Sequence, residues 1–202
     1  QRGSFGDIAA SSFGGMVYYT SPDRSDLLEQ LQSDSLKAIC DAVWKDLTIE
    51  RIPEIPNFTL LVGWTGQVAI TDSLIQATEK KRKVETDSAF YKEFLAKSHA
   101  IVQGLQSAWN AQDIPALQEG IRSNRALLNK FAQVMQLEIE THALQTLCDI
   151  AEQNRACAKT SGAGGGDCGI CFTQNETQRQ QIETQWAKAQ IQVLPLSIAE
   201  AW

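Results

Sequence analysis

Lys159-Thr160-Ser161-Gly162-Ala163-Gly164-Gly165-Gly166-Asp167-Cys168-Gly169-Ile170-Cys171 places four glycines within five residues and follows them with an apolar run. Glycine leaves backbone amides unshielded and permits positive φ, which a loop needs if it is to wrap an anion. A surface linker is the plain alternative, but glycines held between Lys159 and an apolar strand are badly placed to be one. A phosphate is the natural guest. Two familiar phosphate loops do not fit. A Walker loop has its Lys after the last glycine, and here Lys159 precedes them. Gly164, Gly166 and Gly169 satisfy the dinucleotide spacing, but that fingerprint opens a helix, whereas Cys168 to Thr173 reads as a strand.

Downstream of the glycines, Asn175-Glu176-Thr177-Gln178 has the form of a capping box, and Ile182, Trp186 and Ala189 give the following helix an apolar face. Ile191 to Ile198 reads as a closing strand, with Pro195 placing it at a sheet edge. Upstream lies the short segment Ala156-Cys157-Ala158, and before it three amphipathic helices. The first starts at a cap on Thr86 or Asp87 and carries Phe90, Phe94, Ile101, Leu105 and Trp109. The second is capped by Asp113 and carries Ile114, Leu117, Ile121, Leu128 and Phe131. The third runs from about Leu137 with Ile139, Ala143, Leu147 and Ile150 on one face.

Phe58 to Gly63 is a continuous apolar run, as expected of a strand buried on both faces that delivers the loop Gly63-Trp64-Thr65-Gly66. Pro53 and Pro56 precede it and mark a domain boundary. Ser25 to Trp44 has helical spacing with a break near Ser33-Asp34-Ser35, Met16 to Thr20 reads as a strand, and Gly3 to Gly15 is a loop running into a helical turn.

Composition narrows the function classes. The 202 residues carry 18 basic and 24 acidic side chains, a net charge of −6, with no basic excess to neutralise a nucleic-acid backbone. No apolar run approaches the roughly 18 residues that span a bilayer. Partners of either kind, nucleic acid or membrane, are therefore not expected. Five cysteines, Cys40, Cys148, Cys157, Cys168 and Cys171, are an odd number in a chain long enough to build a core, which points to a reducing cytosol. Cys168 and Cys171 have zinc-knuckle spacing, but residues three apart on a strand face opposite ways and cannot share one ion. The start at Gln1 reads as an internal cut in a longer protein.

The run from Lys159 to Cys168 resembles the third signature motif of the GHMP small-molecule kinases. Two further matches keep the family's order. Gly3-Ser4-Phe5-Gly6-Asp7, followed by Ala9-Ala10-Ser11 and by Gly14-Gly15, has the family's Asp seven residues ahead of a Gly-Gly pair. Val62-Gly63-Trp64-Thr65-Gly66 is similar to a Trp-Thr/Ser-Gly loop in one branch of the family. The resemblance implies an α+β fold: a ferredoxin-like C-terminal domain over 54–202, with an antiparallel sheet packed by helices, and the end of an N-terminal nucleotide-binding domain over 1–53.

It further implies an ATP- and Mg²⁺-dependent enzyme, in which the γ-phosphoryl passes to the phosphate of 5-phosphomevalonate on the mevalonate route to isoprenoids. Asp7 is then the catalytic carboxylate, a role its plain reading as a helix cap does not contradict. The implied phosphate and substrate contacts are Gly3, Ser4, Lys159, Ser161, Gly162, Ala163, Gly164, Gly165, Gly166 and Asp167, with Trp64, Thr65 and Gly66 lining the mevalonate end. Arg2 and Arg24 are further candidates, while His99 and His142 receive no role. The family's ATP-binding glycine loop is missing from this sequence, so the N-terminal half of the same enzyme is the implied partner and the metal ligands stay unassigned. Two alternatives remain open: a family member acting on mevalonate or diphosphomevalonate, and a non-catalytic phosphate-binding module.

Overall fold

The computed structural model describes residues 4–66, 89–162 and 164–199. The chain divides into two compact units, Gln1–Pro53 with Ile198–Trp202, and Glu54–Ser197.

In the first unit α1 (Gly6–Phe13) leads through Gly14 and Gly15 into β1 (Met16–Thr20). Both glycines have positive φ, 65° and 63°. Gly14 closes α1 by donating its N–H to the Ala10 carbonyl at 3.0 Å. The interval from Asp7 to the Gly-Gly pair is thus the length of a two-turn helix. Next come α2 (Arg24–Ser33), capped by the Asp23 carboxylate, and α3 (Leu36–Asp41), capped by the Ser35 hydroxyl. The break between them lies where the sequence placed it, but helix ends at Asp41 and does not reach Trp44. The strand β2 (Thr48–Ile52) was not anticipated; it pairs antiparallel with β1, Met16 opposite Ile52.

The second unit holds a four-stranded antiparallel sheet in the order β4-β5-β3-β6, formed by β3 (Thr59–Trp64), β4 (Cys157–Thr160), β5 (Cys168–Thr173) and β6 (Gln192–Leu194). Its helices among the described residues are α4 (Ala89–Asn110), α5 (Ile114–Met135), α6 (His142–Gln153) and α7 (Glu176–Lys188). This is the α+β architecture that was expected. The caps of α4 sought at Thr86 or Asp87 lie outside the described residues. Asp113 caps α5 by accepting from the Ala116 N–H at 3.0 Å. Asn175 caps α7 through the Gln178 N–H, and the Gln178 side chain reciprocates one residue further out, on the Gln174 N–H.

One face of the sheet is dry because α6 and α7 lie on it. Leu61, Leu147, Cys148, Ala151, Cys171, Ile182 and Trp186 form one buried cluster, and the Trp186 indole donates to the Leu147 carbonyl at 3.0 Å. Gly63 and Gly169 are directly paired across β3 and β5. A Cβ at either would stand 2.8 or 2.7 Å from a Leu147 methyl, so the pair lets α6 settle against the strands. On the opposite face Phe58 stacks on Phe172 at 4.8 Å, and Trp109 meets both rings edge-on.

Three sequence expectations are corrected here. β3 is buried on one face, through Leu61 and Gly63, while Leu60 and Val62 stay half-exposed. β6 stops at Leu194, since Pro195 has no N–H for the ladder. Helix α6 begins at His142, not Leu137, and buries Leu144, Leu147, Cys148 and Ala151. The bridge before it, 137–141, matters for the site.

Candidate active site

Strands β4 and β5 are the two arms of a hairpin whose connection is the glycine run. The last ladder pair is Thr160 with Gly169, after which the Ser161 N–H donates to the Cys168 carbonyl at 2.9 Å. Beyond that closure φ is 63° at Gly162, 76° at Gly164, 81° at Gly165, 130° at Gly166 and 63° at Asp167. Side chains rarely adopt such a run, and the glycines supply it.

Two neighbours pin the loop. The Gly165 N–H donates to the Ile139 carbonyl at 2.7 Å, and a Cβ on Gly164 would stand 2.3 Å from that same oxygen. Beyond β3, Thr65 spends both its N–H and its hydroxyl on the Asp167 carbonyl, each at 2.9 Å. Thr65 therefore clamps the loop exit and has no hydroxyl proton left for a substrate. Trp64, paired with Cys168, is half-buried, and Gly66 is exposed with φ 76°.

The expected cradle of amides from Ser161 to Gly166 is thus narrower than the sequence reading had it. Ser161 and Gly165 donate internally. Among the described residues the N–H groups of Gly162, Gly164, Gly166 and Asp167 have no protein acceptor, and Gly164 and Gly166 are buried. Buried amides rarely lack an acceptor, and these suit an anion. Ala163 and Gly3 lie outside the described residues, as does Arg2.

Lys159, on β4, is half-buried; its ammonium donates to the Thr160 carbonyl at 2.8 Å and meets no carboxylate among the described residues. Burial holds its pKa below the usual lysine range. A desolvated cation without a counter-ion disfavours folding; the penalty is full below the depressed pKa and fades as pH rises from there to the ordinary lysine value. We expect Lys159→Met to raise Tm by about 3 °C at pH 7, with a gain that shrinks toward pH 10, while weakening phosphate binding. Calorimetry across that range checks both signs.

Asp167 is exposed, and its carboxylate takes a weak 3.7 Å bond from the Cys168 thiol. Burial pushes the Cys148 and Cys157 thiols up to about 12, so they pack as inert apolar groups. Among the described residues no three His, Cys, Asp or Glu side chains converge to hold a metal. None is therefore assigned to Mg²⁺.

In the first unit Asp7 is not the cap but a first-turn residue of α1. The cap is Phe5, at φ 64°, and the Gly6 N–H reaches the Ser4 hydroxyl at 3.4 Å. Tyr19 donates its hydroxyl to the Ser4 carbonyl at 2.6 Å, so Ser4 is engaged in shaping the helix start. The Asp7 carboxylate is exposed and has no cation within reach among the described residues, while the positive end of α1 favours its charge. Arg24 lies over the Phe5 ring at 5.1 Å.

A family model described as GHMP kinases C terminal matches residues 101–192. That stretch, 101–192, is similar to the C-terminal domain of the GHMP kinases. The chain is 35% identical over 200 residues, 98% of its length, to a phosphomevalonate kinase of a Streptomyces species, of which it covers 53%. A Listeria innocua protein of known structure matches with a TM-score of 0.93 and 32% identity over 99% of this chain and 56% of that one. A Streptococcus pneumoniae phosphomevalonate kinase, solved with phosphomevalonate and AMPPNP, matches at 0.81 and 27% over 95% of this chain and 54% of that one. The chain spans about half the length of these relatives. No described helix is long and apolar enough to cross a membrane.

Proposed function

We propose that this chain is the C-terminal half of a cytosolic phosphomevalonate kinase. In that enzyme the γ-phosphoryl of ATP passes to the phosphate of 5-phosphomevalonate, giving the diphosphate. Residues 1–53, with the chain end from Ile198, then complete an N-terminal domain that holds ATP and Mg²⁺, and Glu54–Ser197 form the acceptor domain. The observation that carries the reading is the β4–β5 connection, where among the described residues the amides of Gly162, Gly164 and Gly166 have no protein acceptor and the half-buried Lys159, three residues before Gly162, meets no carboxylate. The identity to the Streptomyces enzyme and the five free thiols support it.

The chemistry follows from charge. A phosphate monoester has its second pKa near 6, so the attacking oxygen is already largely ionised at neutral pH. No base has to remove a proton from it. Catalysis rests on holding two anionic groups in line and neutralising the charge that develops. Preorganised amides do this without reorganising, and Lys159 adds a cation that meets no carboxylate among the described residues. Asp7, alone beside phosphates, would repel them; its role is to orient a cationic group supplied by the N-terminal half.

Calorimetric titration of 5-phosphomevalonate and of ATP into this chain separates the halves. We expect heat from the acceptor and none from ATP, with phosphoryl transfer on adding the N-terminal half. ATP binding to this chain alone would overturn the division of labour. Acceptor binding with no transfer after complementation would point instead to a non-catalytic module.

A further inference from the structure

The grip on the glycine loop comes from 137–141, the bridge between α5 and α6, and that bridge is itself held by a buried ion pair. Arg125, on α5, forks onto Glu140 with Nε to Oε2 at 2.8 Å and Nη2 to Oε1 at 2.6 Å. The Asn129 amide adds a third donor to Glu140 Oε2 at 3.2 Å, and Arg125 Nη2 also reaches Asp149 on α6 at 2.9 Å. The Glu140 side chain is 7% exposed and that of Arg125 16%, so solvent competes little with the pair.

Glu140 shares a peptide plane with the Ile139 carbonyl. That plane is rigid, so the orientation of the Glu140 backbone sets the direction of the oxygen that receives the Gly165 N–H. The Ile139 side chain is buried with Phe131, Ala132 and Met135, which leaves the bridge little room to rotate. A buried ion pair adds little to stability over an apolar substitute, and its best-attested use is to select one arrangement.

We propose that Glu140, clamped by Arg125 and Asn129, is a positioning residue for the phosphate loop. It keeps the Ile139 carbonyl aimed at Gly165, and so keeps the Gly164 and Gly166 amides turned toward the acceptor phosphate. The second part rests on the reading of the loop given above; the first does not. Glu140 touches no substrate and acts through the loop.

The test uses Glu140→Gln, which keeps the length of the side chain but turns an amide donor against the Arg125 fork. In this chain, hydrogen exchange at the Gly165 amide should accelerate about 10-fold or more while β3 and β5 exchange as before. In the enzyme completed with its N-terminal half, the KM for 5-phosphomevalonate should rise about 10- to 100-fold with kcat and the KM for ATP nearly unchanged. Asn129→Ala, which spares the fork, should show a few-fold effect at most. Unchanged exchange at Gly165 would overturn the proposal, as would a loss of kcat in step with melting and without a KM change. If Glu140→Gln does not fold, Arg125→Lys loosens the fork while keeping the charge, and the same readings decide. A wild-type enzyme that ignores 5-phosphomevalonate would sink the functional reading, yet the exchange measurement would still decide the role of Glu140.

Discussion

Asp7→Asn should lower the turnover of the completed enzyme by about 10³- to 10⁴-fold, the loss typical when a carboxylate that orients a reacting group loses its charge. The KM for either substrate should move by no more than about threefold, because the role proposed for the side chain lies in the transition state and not in ground-state binding. Folding should scarcely respond. The carboxylate is exposed on the first turn of α1, and losing a favourable charge at a helix start costs about 0.3–1 kcal/mol. The pH profile gives a second check. Since the acceptor phosphate ionises near pH 6, activity should rise through that region in both proteins. A single-turnover measurement showing near-normal transfer by the Asn variant would remove Asp7 from the chemistry.

What was legible in the sequence was local. The break at Ser33-Asp34-Ser35, the cap at Asp113, the capping box at Asn175 and the strand from Cys168 each arise from residues within one turn of one another. The interval between Asp7 and Gly14-Gly15 belongs with them, since it is the span of α1. Features set by distant partners were missed. β2 has Glu50 and Arg51 at its centre and earns its place only through pairing with β1 more than 25 residues earlier. Gly63 was read as the start of a loop, whereas what requires it is the approach of Leu147.

The start of α6 is the most instructive error. Counting Ile139 as a face residue extended that helix back to Leu137 and turned its buried stripe by about one residue, or roughly 100°. The true stripe is Leu144, Leu147, Cys148 and Ala151. Ile139 is apolar because it anchors a non-helical bridge in the core. Its contribution to the site is a carbonyl, which every residue has, so no side-chain pattern announces it. For the same reason Thr65 read as a substrate contact: its backbone and hydroxyl bonds to Asp167 leave no sequence signature.

Gly164 and Gly162 look alike in sequence but should respond unequally to the same change. Both have positive φ, so alanine at either position carries a backbone strain of about 1 kcal/mol. At Gly162 nothing lies within 4 Å of the new methyl. At Gly164 the methyl would stand 2.3 Å from the Ile139 carbonyl oxygen and 2.7 Å from its Cγ2. That oxygen cannot retreat while Glu140 is held by Arg125, so the loop must lift and break the Gly165 bond. The expected cost for Gly164→Ala is about 3 kcal/mol, a fall in Tm of roughly 6–12 °C, against about 2–4 °C for Gly162→Ala. Binding should diverge further, because lifting the loop displaces the Gly164 and Gly166 amides together; the KM for 5-phosphomevalonate should rise about 100-fold in the first variant. Equal melting temperatures for the two variants would mean that the Ile139 bridge yields to the methyl, and the loop would then owe its shape to its own glycines alone.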